Sequence, residues 1–117
     1  MNLESKFVWM NGALVPHAQA TVPFLTPALH YGTAVFEGMR AYPTPRGPAI
    51  FRLKDHIARL FASASIFGFT DLPWTQEEVI AGSKAVVREN GCTSCYVRPL
   101  IFAASGQTCI AGSRLLL

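Results

Sequence analysis

The stretch from Ala28 to Tyr42 constrains the fold more than any other part of the sequence. From Thr33 onward its residues alternate with the period of two that is typical of a β-strand. Gly38 removes a side chain in the middle of this strand, which often marks the close approach of a ligand or another backbone. The pattern fits either a substrate pocket or a buried strand whose arginine is paired. One face of the strand carries Ala34, Phe36, Gly38, Arg40 and Tyr42.

Turn signals predict further strands on both sides of this stretch. Asn11-Gly12 lies between two short apolar runs and predicts a β-hairpin. The Pro- and Gly-containing segment Thr44–Pro48 predicts a turn, after which Ala49–Leu53 returns antiparallel to the central strand. The β-branched and aromatic run Ser94–Phe102 predicts another strand, in which Pro99 indicates either an edge position or a local irregularity.

Two segments have the spacing of amphipathic helices. Apolar residues recur with helical period from Leu53 to Phe67, and Gly68 is a usual residue at a helix C-terminus. Thr75 and Glu78 have the spacing of a capping box, which predicts the start of a second helix. The sequence therefore predicts an α+β fold, an antiparallel sheet with two helices packed on it.

Composition excludes several classes of function. The 117 residues are 50% hydrophobic, enough for one core, and the net charge of +3 comes from scattered basic residues that give no nucleic-acid footprint. Neither a signal peptide nor an apolar run long enough to span a membrane is expected. The odd number of cysteines favours a reducing compartment, and we expect a cytoplasmic protein. The pair Cys92 and Cys95 is interpreted as two small buried thiols, and no metal site is expected.

Two arginines lie where a positive charge needs a specific reason. Arg59 is three residues beyond His56 near the N-terminus of the first predicted helix, where the helix dipole disfavours a cation. A bound anion would supply the reason, and an exposed arginine on a solvated face is the alternative. Arg98 lies in an apolar strand, so we expect it to meet either a carboxylate of this chain, such as Glu37, or the carboxylate of a substrate.

Three linked motifs resemble branched-chain amino-acid aminotransferases, which are pyridoxal-phosphate enzymes of fold type IV. They are Leu29-His-Tyr-Gly-Thr-Ala-Val-Phe-Glu-Gly-Met-Arg40, Phe51-Arg-Leu-Lys-Asp-His-Ile-Ala-Arg-Leu60 and Tyr96-Val-Arg-Pro-Leu-Ile-Phe102. The first motif points away from D-amino-acid aminotransferases and aminodeoxychorismate lyases, which share the fold. The resemblance covers the small N-terminal domain of the family, predicted at residues 1–102, and residues 103–117 are predicted to be a divergent or truncated tail.

The resemblance also implies roles for single residues. Arg59 would hold the cofactor phosphate, and Arg40 and Glu37 would be structural supports first. Tyr31 would reach into the active site of a partner subunit in a homo- or hetero-dimer. The residues implied on the substrate side are Tyr31, Phe36, Gly38, Tyr96 and Arg98, of which Phe36 and Gly38 would line a pocket for an aliphatic side chain.

The implied reaction is amino transfer between leucine, isoleucine or valine and 2-oxoglutarate. It needs a lysine that forms a Schiff base with pyridoxal phosphate, an acid at the pyridine nitrogen and an anchor for the phosphate. In the family the first two come from a second domain. Lys6, Lys54 and Lys84 all lie on a predicted terminus or helix surface, so no catalytic residue is predicted in this chain and we expect it to be inactive alone.

Two other interpretations stay open. The chain could be a non-catalytic dimerisation module that modulates a longer aminotransferase. It could also be the product of a truncated reading frame, because the terminal Leu115–Leu117 would expose apolar surface without a partner domain.

Overall fold

The structure is a computed structural model that describes residues 5–104 and 107–115. Within these residues the chain forms seven β-strands, three α-helices and one short 3₁₀ segment at His17–Gln19. The elements in chain order are β1 (Phe7–Met10), β2 (Ala13–Pro16), α1 (Pro27–Tyr31), β3 (Ala34–Phe36), β4 (Met39–Thr44), β5 (Gly47–Ile50), α2 (Leu53–Phe67), α3 (Gln76–Glu89), β6 (Cys95–Ala104) and β7 (Gln107–Leu115).

All the strands join one antiparallel sheet, so the predicted fold class is confirmed. The order across the sheet is β2-β1-β7-β6-β4-β5, and β3 also pairs with β6. β1 and β2 form the predicted hairpin, in which Asn11 and Gly12 have positive φ values of 51° and 91°. The Asn-Gly turn needs this left-handed backbone at both central positions.

β3 and β4 are two segments of one strand path. Their pairing with β6 keeps a single register across the gap at Glu37 and Gly38. Pro99 lies opposite this gap and accepts a hydrogen bond from the Glu37 amide at 3.1 Å, but it has no N–H to return. The predicted central strand is therefore interrupted here, whereas β6, the strand in which Pro99 predicted a local irregularity, runs unbroken from Cys95 to Ala104. The alternative of an edge position is wrong, because β6 pairs with neighbours on both of its sides.

Both predicted helices pack on one face of the sheet. α2 ends at Gly68, whose φ is 107°, and α3 begins with the capping box of Thr75 and Glu78. The Trp9 ring packs directly on α3 at Gly82, where an added Cβ would lie 2.6 Å from the ring. The hydrophobic core lies between sheet and helices and includes Met39, Ala41, Ile57, Leu60, Val86, Val97, Ile101 and Ile110.

Two elements of the structure are absent from the sequence prediction. α1 has no counterpart among the predicted helices, and it ends at Gly32, which adopts the left-handed conformation. β7 forms in the segment that was predicted as a tail, and it pairs with β6 from Tyr96 to Ala104. The domain boundary at residue 102 stays a prediction. The predicted exposure of the terminal leucines lies outside the residues whose side chains are described.

None of the described helices has the length and hydrophobicity needed to cross a membrane. Among the described residues, no group of three or more His, Cys, Asp or Glu side chains has an arrangement that holds a metal ion. Cys92 and Cys95 are buried where α3 leads into β6.

Candidate functional site

Three consecutive residues, Phe36, Glu37 and Gly38, organise the candidate site. They lie at the end of β3 and in the gap before β4. Successive side chains of a strand point to opposite faces of the sheet. Glu37 therefore faces α2, while Phe36 and Gly38 face the side of the sheet that carries Tyr96 and Arg98.

Glu37 is nearly buried and accepts three hydrogen bonds from α2. Arg59 donates from Nε to Oε1 at 2.6 Å and from Nη2 to Oε2 at 2.8 Å. His56 Nδ1 lies 2.9 Å from the same Oε2. His56 and Arg59 are one helical turn apart, so they reach the carboxylate together.

The arginine keeps this carboxylate ionised. Hydrogen bonding from Arg59, aided by His56, lowers the pKa of Glu37 below its ordinary value of 4.5, although burial of the carboxyl acts in the opposite direction. Glu37 in turn raises the pKa of Arg59. The Arg59 side chain remains 67% exposed, and its Nη1 forms no hydrogen bond within the described part of the chain. This free nitrogen is able to bind an anion from solvent.

Arg98 forms the second cluster, on the opposite face of the sheet. Its guanidinium lies 4.3 Å from the centre of the Phe36 ring and 5.3 Å from that of the Tyr96 ring. Nη2 donates to the Tyr96 hydroxyl at 2.9 Å. Nε is buried and has no partner among the described residues. Of the two alternatives for Arg98, pairing with Glu37 is wrong, because that carboxylate faces α2 and is taken by Arg59 and His56.

Gly38 makes room for Tyr96. A Cβ at this position would overlap the Tyr96 hydroxyl and approach the ring carbon Cζ to 2.9 Å. The absence of a side chain at Gly38 therefore allows Tyr96 to hydrogen bond with Arg98. Whether Gly38 and Phe36 also line a substrate pocket stays a prediction.

The structure brings four of the six predicted site residues together, and these are Phe36, Gly38, Tyr96 and Arg98. Arg59 lies on the helix side and connects to this group through Glu37. Tyr31 is 82% exposed at the end of α1 and has no hydrogen-bond or ring partner among the described residues. The sequence prediction missed His56 as a partner of Glu37. The three-residue spacing of His56 and Arg59 opposite an acidic strand residue was the available signal.

An apolar groove adjoins the Arg98 cluster. It has a volume of about 480 Å³ and lies between the sheet, α1 and the loop before α1. Leu100, which lines the groove, pairs directly with Phe36 across β6 and β3. The exposed Phe24, Leu25 and Leu29 extend this apolar surface.

This fold matches branched-chain aminotransferases of known structure. The T.th. enzyme superimposes with a TM-score of 0.92 at 40% identity, covering 99% of this chain and 42% of that chain. The Escherichia coli enzyme gives a TM-score of 0.90 at 34% identity over 97% of this chain and 40% of its own. The T.th. enzyme is also known in complex with N-(5'-phosphopyridoxyl)-L-glutamate and with 4-methylvaleric acid. The fold of this chain is thus that of the corresponding part of the fold type IV aminotransferases.

The family assignment follows from sequence comparison as well. The profile of amino-transferase class IV matches residues 34–114, so the chain belongs to this family. A branched-chain-amino-acid aminotransferase of Pseudomonas aeruginosa is 48% identical over 98 residues, and that of Escherichia coli K12 is 43% identical over 101 residues. These relatives confirm the resemblance inferred from the three motifs. The two matches cover 84% and 85% of this chain but only 32% of each relative.

Proposed function

We propose that this chain is the small-domain part of a branched-chain amino-acid aminotransferase. The whole reaction transfers an amino group between leucine, isoleucine or valine and 2-oxoglutarate with pyridoxal phosphate. One arrangement carries the proposal: two arginines with unused donors lie on either side of the segment from Phe36 to Gly38. The cofactor phosphate and the substrate carboxylate are both anions, and guanidinium groups suit both of them.

Arg59 is assigned to the cofactor phosphate. Its Nε edge is held by Glu37, and its Nη1 is left to donate to a phosphate oxygen. When bound, pyridoxal phosphate would supply the electron sink that accepts the electron pair left when the substrate α-carbon loses its proton. Lys6, Lys54 and Lys84 are all exposed, so no lysine of this chain lies in the enclosed site that a Schiff-base lysine needs. We propose that the lysine comes from a second domain and that this chain alone is inactive.

Arg98 and its aromatic neighbours are assigned to the substrate. The buried, unpartnered Nε of Arg98 gives the strand a donor that a substrate carboxylate satisfies. Phe36 is 56% exposed and supplies an apolar wall beside that donor. An apolar wall of this kind distinguishes aliphatic side chains by about 1–3 kcal/mol per methylene. We assign Tyr31 of this chain to the active site of a partner subunit, in a cytoplasmic dimer.

A branched carboxylate tests this assignment directly. The dissociation constant of 4-methylvalerate for the 117-residue chain can be measured by NMR titration. It should rise at least tenfold in Arg98→Gln. Arg88→Gln is the matched control, because Arg88 is a surface residue of α3 whose contact with Glu89 is 3.5 Å long. Equal binding by wild type and Arg98→Gln would refute the role of Arg98.

The apolar groove also favours a second candidate function, a non-catalytic dimerisation module. Exposed Phe24 and Leu25 beside a groove of about 480 Å³ are typical of a surface that meets another protein. Such a module should co-purify with a longer aminotransferase. A chain that stays monomeric in light scattering in the presence of that enzyme would contradict this alternative.

A further inference from the structure

We propose that Glu37 is the positioning residue of the phosphate site. It fixes one edge of the Arg59 guanidinium so that the opposite nitrogen, Nη1, faces the phosphate, and His56 fixes Glu37 in turn. This inference rests on the proposed role of Arg59. It deepens that role by naming the group that orients the arginine.

The contacts divide the guanidinium into two parts. Nε and Nη2 both donate to Glu37, and these two bonds fix the plane of the group. Nη1 is directed away from the carboxylate, where the side chain is exposed. An exposed arginine without such a partner would populate many rotamers and lose that freedom on binding an anion.

Stability alone is a weak reason for a carboxylate at this position. Glu37 is 7% exposed, and burying a charge beside the hydrophobic core carries a desolvation cost. Its main partner is 67% exposed, and exposed partners contribute little to folding. A carboxylate close to a phosphate would also repel it, unless the acid is satisfied on its own side. The three donors from Arg59 and His56 provide that satisfaction.

The backbone of Glu37 ties the site to the sheet. Its amide donates to the carbonyl of Pro99 in β6, the strand that also carries Tyr96 and Arg98. Glu37 therefore holds Arg59 in a fixed position relative to the proposed substrate arginine. The spacing of the two anion-binding groups then depends on one rigid strand rather than on two flexible side chains.

The test compares pyridoxal phosphate with pyridoxal, because only the former carries the phosphate. The ratio of the two dissociation constants for the 117-residue chain measures the phosphate preference. Glu37→Gln should lower this preference roughly tenfold, as loss of an orienting partner does at metal sites. Asp55→Asn is the matched control, since it removes an exposed ion pair between α2 and Arg52, the residue just before the helix, and should leave the preference unchanged.

Loss of fold would weaken both ligands equally, so the ratio separates positioning from a merely structural role. His56→Ala is a milder variant that removes one of the three donors, and it should reduce the preference by less than Glu37→Gln does. If Glu37→Gln does not fold, an unchanged preference in His56→Ala overturns the inference and a reduced one supports it.

Arg59→Gln distinguishes the two levels of the proposal. If wild type shows no phosphate preference, or if Arg59→Gln keeps it, then the role of Arg59 fails and the inference fails with it. If Arg59→Gln abolishes the preference while Glu37→Gln retains it, the role of Arg59 stands and positioning by Glu37 is refuted. In the Arg59→Gln background, Glu37→Gln should cause no further loss, and an equal further loss would contradict the inference.

Discussion

Gly38→Ala should destabilise the protein through Tyr96. The new Cβ would overlap the Tyr96 hydroxyl and lie 2.9 Å from Cζ and 3.2 Å from Cε2, so the ring must move. Movement of the ring breaks the bond from Arg98 Nη2, and a hydrogen bond to a charged group contributes about 1.5–3 kcal/mol. Because the half-buried ring can turn toward solvent, we expect the lower part of that range. Reduced freedom of the unfolded chain offsets roughly 0.4–1 kcal/mol of the loss. The net decrease in the free energy of unfolding is therefore about 1 kcal/mol.

A double-mutant cycle isolates this cause. Tyr96→Phe removes both the overlapping oxygen and the acceptor of the Arg98 bond. Urea unfolding at neutral pH should show that Gly38→Ala costs less in the Tyr96→Phe background than in wild type, with a coupling of roughly 0.5–1.5 kcal/mol. Additive effects, or a Gly38→Ala variant as stable as wild type, would refute the idea that Gly38 makes room for Tyr96.

Three further predictions concern stability. The stabilisation from ionised Glu37 is complete above the ordinary pKa of 4.5 and is lost as the pH falls through the lowered pKa of the folded state. The difference in the free energy of urea unfolding between wild type and Glu37→Gln should therefore shrink in acid. A difference that stays constant with pH would contradict the pairing. Gly82→Ala should lower the stability of the protein. Overpacking against the buried Trp9 ring costs about 1–3 kcal/mol, which exceeds the gain of roughly 1 kcal/mol in helix propensity. A variant that is more stable than wild type in thermal unfolding would disprove that contact. Thr75→Ala should cost about 1 kcal/mol through loss of the capping box, and an unchanged denaturation midpoint would argue against that cap.

Local patterns predicted most of the fold because they act over a few residues. Asn11-Gly12 needs only its own backbone preference to make the hairpin, and Thr75 with Glu78 needs only each other to begin α3. β7 was missed for the opposite reason. Its strand character depends on pairing with β6, which is a tertiary contact that no local signal in the sequence encodes.

The site was predictable in its residues and less so in its pairings. The positions of Arg59 near a helix N-terminus and of Arg98 in an apolar strand indicated that both cations need partners, and both have specific ones. From the sequence alone Glu37 remained a possible partner of Arg98. Whether two side chains share a face of the sheet depends on which strands are neighbours and in which register they pair. Only the register against β6 shows that Glu37 faces α2 and that Arg98 faces the opposite side.

The most direct test of the account is an assay for glutamate with the purified 117-residue chain, pyridoxal phosphate, leucine and 2-oxoglutarate. No glutamate above the background of free cofactor is expected, because the chain has two arginines that we propose bind anions but only exposed lysines. Glutamate formed well above that background, and lost on substitution of Lys6, Lys54 or Lys84, would show that a lysine of this chain carries the cofactor. That result would contradict the division of the site between this chain and a second domain.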